Sequence, residues 1–371
     1  MFKSPLVLGI NVRGVLNNGF TVEKCLSVAG NNTGNLIFSE SLFRVIRNGV
    51  ISSYHFTPEV AKGRDAVVVA AANWLNPHSD FGVLAERLEA LKLPVILVGL
   101  GAQPSKGREH PTLKPGTERL VRLAADSSKM ISVRGPFSAE VLNGFGVKNV
   151  EVTGCPSLLL ASYARGPLSK VSKNPQRVAF HSTRHLMHDT SPLQDYFYKE
   201  AYRQRYDIVL QSELADFYYA LGRTVNKEIM AKVDPIVCKS YGDSDAEAVG
   251  RYLRLHGKVF YDLEKWTDYA QTQDLFVGTR IHGTVAALLA GTPGILMTHD
   301  ARTVELAQTL NIPFVPAETV DMTRSLDLPA LIEQADFSRF EARYGAYLRT
   351  FTAFFKSNGL EMREEQDIMA A

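Results

Sequence analysis

The sequence has little of what a membrane-spanning, disulfide-stabilised or nucleic-acid-binding protein requires. Its apolar runs fall short of the roughly eighteen consecutive residues that a transmembrane helix needs. Its three cysteines, Cys25, Cys155 and Cys238, stand in unrelated contexts and give neither a disulfide framework nor the spacing of a metal site. The net charge of +2 and the lack of long Lys/Arg runs predict no nucleic-acid partner. These absences favour a cytoplasmic protein.

What is present is typical of a globular α/β protein. Of the 371 residues 45% are hydrophobic and 22% charged, and the chain is long enough for two domains of ordinary size. Residues 66–72 and 94–101 are apolar runs of strand length, and residues 81–91 between them have the spacing of an amphipathic helix. This β-α-β pattern predicts a parallel sheet.

A polar, aperiodic stretch near residues 165–175 predicts a linker. Strand-like segments resume after the linker with helical patterns between them, at 178–181, 208–211, 259–261, 275–278 and 295–298. We therefore predict two Rossmann-like, doubly wound domains that face a cleft, over residues 1–165 and 176–335. Aromatic residues at helical spacing predict a C-terminal helical segment over 336–371.

The turn around Arg280 contains the strongest candidate site. It follows a predicted buried strand and precedes a predicted helix over 284–290, so it lies at the carboxyl edge of a sheet. In an extended connection Arg280 and His282 point to the same side. Gly278 and Gly283 leave room for backbone to approach a ligand, and the amides that open the next helix favour an anion. A helix-capping or ion-pair role explains the same two side chains equally well.

Arg134 occupies a similar position in the first half of the chain. It ends the predicted strand 130–134 and is followed by Gly135 and Pro136, which fits the first position of a helix. Arg134 is therefore a second candidate for binding an anion near a helix N-terminus. A surface ion pair is the equal alternative.

No metal or cofactor is predicted. His181, His185, His188 and Asp189 are clustered, but a shared metal would require one helix face, and His181 ends a predicted strand while His185 lies in a loop. Glycines at 99 and 101 resemble part of a dinucleotide fingerprint whose third glycine and acidic residue are missing. We expect His181 to face the interdomain cleft.

Several amide side chains lie in turns or after predicted strands, where they are suited to binding sugar hydroxyls. They are Asn17, Asn35, Asn73 and Gln103, and Trp74 is suited to stacking on a sugar. Amides are also common turn and N-cap residues, and a large aromatic side chain is more often simply packed. Both interpretations stay open for each of these residues.

Five segments occur in the order found in the polysaccharide pyruvyl transferase family, namely 31–40, 132–142, 152–157, 280–283 and 299–302. The chain resembles this family over about residues 5 to 320, most specifically in the Arg-Ile-His-Gly and His-Asp-Ala-Arg segments. The resemblance implies a fold like that of the two-domain GT-B glycosyltransferases, with the active site in the cleft. It also implies a function in exopolysaccharide biosynthesis, in which the pyruvyl group of phosphoenolpyruvate is transferred to a sugar as a cyclic ketal and phosphate is released.

The resemblance also implies roles for individual residues. His282 corresponds to the catalytic acid or base of the family, and Arg280 acts beside it. Arg134, Arg280, Arg302 and Gly283 correspond to the donor-binding set. The acceptor-binding candidates remain the amides, Trp74 and the cleft-facing histidine described above.

Three positions depart from the pattern of the family. Gly135 follows the donor-binding arginine where many relatives have an acidic residue. Arg302 stands where the family often has lysine. The planar guanidinium fork of arginine therefore replaces the compact ammonium donor of lysine. Gly34 and Asn35 stand where many members have Gly-Asp, so a carboxylate role at that point is not predicted.

Two other functions fit the same residues. A nucleotide-sugar glycosyltransferase of GT-B type would place a diphosphate against the same helix and arginines, and a sugar- or anion-binding protein would bind without turnover. The expected partners are phosphoenolpyruvate and a sugar or lipid-linked oligosaccharide. A lipid-linked acceptor is compatible with peripheral association at the inner face of the membrane. The sequence does not indicate which sugar is the acceptor.

Overall fold

The computed structural model describes residues 1–103, 109–160, 168, 171–184, 186–187, 191–222 and 226–364. Part of the predicted linker, and His185, His188 and Asp189 of the histidine cluster, lie outside the described residues. Within the described part, strands and helices alternate and every strand pairing is parallel. The α/β prediction is therefore confirmed.

The N-terminal half is built on a parallel sheet whose inner strands are fully buried. Strands β1 (Leu6–Gly9), β2 (Val50–Ser53), β3 (Val67–Ala70) and β4 (Val95–Val98) follow the order β2-β1-β3-β4. Strands β5 (Ile131–Val133) and β6 (Val150–Val152) form a separate pair, which a bridge between Leu100 and Val133 joins to the end of β4. The helices of this half are α1 (Val22–Val28), α2 (Asn35–Val45), α3 (Gly82–Leu91), α4 (Pro115–Ser127) and α5 (Pro136–Gly144).

The C-terminal half has six parallel strands in the order β12-β11-β10-β7-β8-β9. They are β7 (Val178–His181), β8 (Asp207–Leu210), β9 (Gly257–Val259), β10 (Leu275–Gly278), β11 (Gly294–Thr298) and β12 (Phe314–Pro316). The strand order reverses between β7 and β10, and such a switch point leaves a crevice at the carboxyl ends of the strands. Its helices are α6 (Pro192–Gln204), α7 (Leu214–Ala220), α8 (Lys227–Tyr241), α9 (Ala246–His256), α10 (Leu263–Gln271), α11 (Ile281–Leu289), α12 (Ala301–Leu310) and α13 (Leu328–Gln334).

Helix α2 packs between the two halves. Nine of its eleven residues are buried, as expected for a helix that is covered on all sides. It contacts β1 and β3 of the first sheet and α10 and α11 of the second half. The two sheets therefore face each other across a cleft whose floor includes the start of α2, which confirms the predicted GT-B-like fold class.

The predicted C-terminal helix is α14 (Phe337–Ser357), and it returns to the N-terminal half. Tyr347 Oη donates to the carbonyl of Cys155 at 2.7 Å, and Tyr344 Oη donates to that of Leu158 at 2.8 Å. Asn358 Oδ1 then accepts the amide of Lys129 at 3.0 Å. The aromatic residues with helical spacing thus hold the end of the chain against the first half. No helix among the described residues is long and apolar enough to cross a bilayer.

Strands β2 and β12 lack a sequence pattern that would predict them. β2 is only half-buried and reads Val-Ile-Ser-Ser, so it lacks a continuous apolar run. β12 is three residues long, ends in proline and lies at the edge of its sheet, where a missing amide donor is tolerated. Both are edge strands, for which the sequence pattern is weakest.

Candidate functional site

A cavity of about 740 Å³ lies in the cleft, at the carboxyl ends of strands from both sheets. It collects eight of the predicted site residues: Asn35, Asn73, Trp74, Gln103, Arg134, Arg280, His282 and Arg302. Ten further residues line it: Gly30, Asn32, Ala72, His78, Thr183, Gln211, Thr279, Ile281, Thr303 and Leu306. The chemistry-bearing residues of the two halves thus meet in one space.

The lining of this cavity carries positive charge without negative charge. Three arginines line it, and neither aspartate nor glutamate is among its described lining residues. Low-dielectric walls lined by charge of one sign concentrate ions of the other sign. The charge of the cavity therefore suits an anionic ligand.

Arg134 follows β5 and is 7% exposed. Its Nε donates to the carbonyl of Gly99 at 2.8 Å, and its Nη1 donates to Asn73 Oδ1 at 3.2 Å. The guanidinium also lies 5.6 Å from the ring centre of Phe38. Burial lowers the pKa of Arg134, and the nearby Arg302 acts in the same direction. Its hydrogen-bond partners among the described residues, two backbone carbonyls and the amide of Asn73, are neutral and leave its charge largely uncompensated.

Arg280 is held more tightly than Arg134. It is the N-cap residue of α11; its Nε donates to the carbonyl of Ser182 at 2.8 Å, and its Nη2 donates to Ser212 Oγ. Glu213 Oε1, which is 1% exposed, lies 3.3 Å from the same Nη2. A buried carboxylate thus fixes the orientation of this guanidinium and offsets part of its charge.

Arg302 is the most exposed of the three arginines. It lies in the first turn of α12, and its side chain is 37% exposed. Its Nη2 is 3.5 Å from Asp300 Oδ2, while the other oxygen of Asp300 accepts the amide of Thr303 and caps the helix. Arg302 therefore contributes the most solvent-exposed of the three guanidinium groups to the cavity lining.

His282 lies in the first turn of α11, because the helix begins at Ile281 rather than near residue 284. The expected extended connection is therefore wrong, although Arg280 and His282 still line one cavity. The imidazole is 5% exposed, and its Nε2 is 3.9 Å from the thiol of Cys155. Burial, then the charges of Arg134 and the other two arginines, lower the pKa of His282 to about 3. At neutral pH its imidazole is uncharged in the ligand-free protein.

His181 does not line the cavity, although the sequence placed it in the cleft. It is fully buried beneath the turn, where its Nδ1 accepts the amide of Arg280 at 3.1 Å. Burial and then the charge of Arg280 lower its pKa to about 3. A Cβ at Gly283 would lie 2.6 Å from the ring, and a Cβ at Gly278 would lie 1.7 Å from the carbonyl oxygen of His181. The two glycines therefore make room for His181 rather than for a ligand.

The amide and aromatic candidates differ in their surroundings and in whether they line the cavity. Asn73 Oδ1 is held by Arg134, while Asn35 Nδ2 donates to the carbonyl of Ala29 at 3.1 Å and so supports the loop before α2. Trp74 stacks on Phe81 with ring centres 4.3 Å apart and also lines the cavity. Asn17 is exposed on a short 3-10 turn and is not part of the lining.

The lining residues that the sequence did not single out lie mostly in the same strand-end loops. Thr279 precedes Arg280, and its Oγ1 is 3.1 Å from Thr183 Oγ1. Gln211 follows β8, and Asn32 precedes α2. Because the carboxyl ends of parallel strands meet at one edge, applying that rule to every predicted strand would have found the threonines and Gln211. His78 lies in a loop that carries no such signal.

A comparison with known families shows to which family the chain belongs. The profile described as "Polysaccharide pyruvyl transferase" matches residues 32–301, more than half of the chain. The chain belongs to this family. The matched segment includes Arg134, Arg280 and His282 and ends one residue before Arg302. Membership in the polysaccharide pyruvyl transferase family supports a transferase that acts on a sugar or polysaccharide acceptor.

The solved structures that match the chain include two 2-epimerases and a glycotransferase. A UDP-N-acetylglucosamine 2-epimerase matches over 96% of both chains at 12% identity, with a TM-score of 0.43. The UDP-GlcNAc 2-epimerase from Neisseria meningitidis covers 94% of this chain and 93% of its own at 11% identity, with a TM-score of 0.38. The glycotransferase of kitacinnamycin covers 95% of each at 12%, with a TM-score of 0.36. Likenesses of this size carry no information on function. No curated protein matches the sequence.

Proposed function

We propose that this member of the polysaccharide pyruvyl transferase family transfers the pyruvyl group of phosphoenolpyruvate to two hydroxyls of one sugar, in a polysaccharide or its lipid-linked precursor. The product is a cyclic ketal, and phosphate is released. One observation carries the proposal: a neutral, buried His282 stands among three arginines in a cavity whose described lining has no carboxylate. A lipid-linked acceptor would be reached by peripheral association with the membrane.

The arginines match the two anionic groups of the donor. Phosphoenolpyruvate carries a phosphate and a carboxylate, and guanidinium groups bind both through paired N–H donors. Glu213 holds Arg280 in place, Arg134 is buried with neutral partners, and Arg302 is the most exposed of the three. The first amides of α11 have no intrahelical partner and add donors on the same side.

The reaction requires two proton transfers that an imidazole can perform. One sugar hydroxyl adds to C2 of the donor as the enol methylene, C3, gains a proton and becomes a methyl group. The C2–O bond to phosphate then breaks, and a second hydroxyl of the same sugar adds to C2. Of the two hydroxyl protons, one ends on C3 and the other on phosphate, so the atoms balance. His282 accepts the proton of the attacking hydroxyl and returns it to C3.

Donor binding prepares His282 for this role. In the free protein burial and the arginines hold its pKa at about 3, so it is a poor base. A bound anion offsets the arginine charges and so raises the pKa of His282, while the larger lowering by burial remains. The imidazole is therefore a better proton acceptor when phosphoenolpyruvate is in place.

The rival functions predict different ligands. A nucleotide-sugar glycosyltransferase needs a place for a base and ribose beside its diphosphate, and an anion-binding protein needs no buried imidazole among the cations. Isothermal titration calorimetry separates the first rival. We expect phosphoenolpyruvate to bind with a dissociation constant in roughly the 1 µM–1 mM range of enzyme substrates, and UDP-N-acetylglucosamine not to displace it. Binding of the nucleotide sugar without binding of phosphoenolpyruvate would instead support the glycosyltransferase.

A further inference from the structure

Gln211 has an amide that the protein itself does not satisfy. The residue follows β8, lines the cavity and is 1% exposed. Neither its Oε1 nor its Nε2 has a hydrogen-bond partner among the described residues. A buried amide left unpaired destabilises a fold, and most buried polar groups in native proteins are paired. An amide kept unpaired at the edge of a ligand cavity therefore requires an explanation.

The position of this amide is fixed from both halves of the protein. The carbonyl of Gln211 accepts the amide of Thr33 at 2.8 Å, which joins the end of β8 to the loop before α2. A Cβ at Gly34 would lie 2.5 Å from Gln211 Oε1 and 2.9 Å from the Cβ of His282. Only glycine at this position leaves room for the amide. Gln211 and His282 therefore flank the same point of the chain.

The chemistry of the amide indicates which ligand it fits. Oε1 requires a hydrogen-bond donor and Nε2 requires an acceptor. Ionised phosphoenolpyruvate offers acceptors only, so it cannot satisfy Oε1. Sugar hydroxyls donate and accept, and two hydroxyls of one sugar match the two ends of an amide. The arginines pair with the charged groups of phosphoenolpyruvate. The uncharged amide of Gln211 therefore remains for the uncharged sugar.

We propose that Gln211 binds the acceptor sugar and orients its reacting hydroxyls toward His282. This inference rests on the proposed pyruvyl transfer and names a residue that determines acceptor specificity. The hydroxyl that donates to Oε1 lies near the imidazole that must take a hydroxyl proton. Loss of the amide therefore lowers the use of the acceptor and leaves binding of the donor intact.

The variant Gln211→Met tests this assignment, because methionine keeps the length of the side chain and removes both polar atoms. Initial rates would be measured with phosphoenolpyruvate and the methyl glycosides of glucose, galactose, mannose and N-acetylmannosamine. For the acceptor that wild type uses, we expect kcat/KM to fall roughly 10- to 100-fold, the loss of two hydrogen bonds, with an unchanged dissociation constant for phosphoenolpyruvate. The melting temperature should stay equal or rise, because an unpaired buried amide has been replaced by an apolar group.

Thr298→Val is the matched control. Thr298 Oγ1 is likewise buried and without a hydrogen-bond partner among the described residues, but Thr298 is not part of the cavity lining. This variant should keep the wild-type acceptor kcat/KM. Monodeoxy forms of the acceptor, used as competitive inhibitors, identify the bound hydroxyls: removing a bound hydroxyl should weaken inhibition of the wild type by part of this factor and should weaken inhibition of Gln211→Met no further. If methionine weakens the fold, Gln211→Leu, which is also apolar and uncharged, enters the same comparison.

Different results would overturn the role of Gln211 and the proposed pyruvyl transfer. An active wild type together with an unchanged acceptor kcat/KM in Gln211→Met overturns the role of Gln211 alone. Equal losses in donor binding and acceptor use would also overturn it, since they indicate a structural role. A wild type that releases no phosphate with any of these glycosides counts against pyruvyl transfer itself.

Discussion

Replacing His282 by glutamine is expected to reduce kcat for phosphate release by roughly 10²- to 10⁴-fold, the usual contribution of a positioned acid or base. Glutamine fills a similar volume but cannot carry a proton between the sugar hydroxyl and C3 of the donor. The dissociation constant of the His282→Gln protein for phosphoenolpyruvate should change far less than kcat, because the three arginines remain. Single-turnover phosphate release and calorimetry measure the two quantities separately.

The pH dependence of the wild-type enzyme should show the coupling between donor and imidazole. In the free protein His282 becomes cationic only near pH 3, so this group does not limit kcat/KM for phosphoenolpyruvate until that pH. With the donor bound the pKa is raised, so loss of the neutral base begins at higher pH. We therefore expect the acid limb of kcat to lie at higher pH than that of kcat/KM. In His282→Gln this difference between the two profiles should disappear.

His256→Gln is the control for this variant. His256 is a half-buried histidine that pairs with Asp207 at 2.9 Å and does not line the cavity. It should retain wild-type kcat and both acid limbs. Phosphate release by His282→Gln at a rate close to that of wild type would exclude His282 as the acid or base.

Replacing Arg134 by methionine is expected to weaken phosphoenolpyruvate binding by at least about 10²-fold, within the roughly 2–5 kcal/mol that truncating a buried charge partner costs a complex. Arg134 is buried with neutral hydrogen-bond partners, so an anionic ligand supplies the charge that the protein does not. The melting temperature of the ligand-free protein should change little, because removing a desolvated charge opposes the loss of these hydrogen bonds. The rise in melting temperature on adding phosphoenolpyruvate should be lost.

Arg119→Met is the matched control for the Arg134 variant. Arg119 is half-exposed, pairs with Glu89 on the surface and does not line the cavity. Its replacement should leave the ligand-induced rise in melting temperature intact, since exposed pairs contribute little. An Arg134→Met protein that binds phosphoenolpyruvate as tightly as wild type would show that the anion lies elsewhere.

Much of the architecture could be predicted because it depends on local patterns. Continuous apolar runs such as Val67–Ala70 and Val95–Val98 identify buried parallel strands, and the carboxyl ends of such strands meet at one edge. That rule places Arg134 and Arg280 each at the carboxyl edge of its own sheet, and the GT-B-like fold implied by the resemblance brings the two edges to one cleft. The resemblance to the family adds Arg302 and the role of His282.

The remainder depends on contacts between distant segments, which a local pattern does not encode. His181 has the same strand-end position as the true lining residues, yet it is buried because Gly278 and Gly283 leave space for its ring. The pairing of Arg280 with Glu213 and the low pKa of His282 likewise arise only when the halves and loops come together. The role of Gln211 depends on Gly34, which lies in the other half of the protein.

The most direct test of pyruvyl transfer is to follow phosphate release and product mass together in the wild-type protein. Phosphoenolpyruvate would be incubated with the four methyl glycosides and their lipid-linked counterparts, and with each component alone. We expect phosphate release only when donor and acceptor are both present, with one phosphate for each sugar that gains the mass of pyruvic acid less one water. Saturating binding of phosphoenolpyruvate with neither phosphate release nor a ketal product would contradict it.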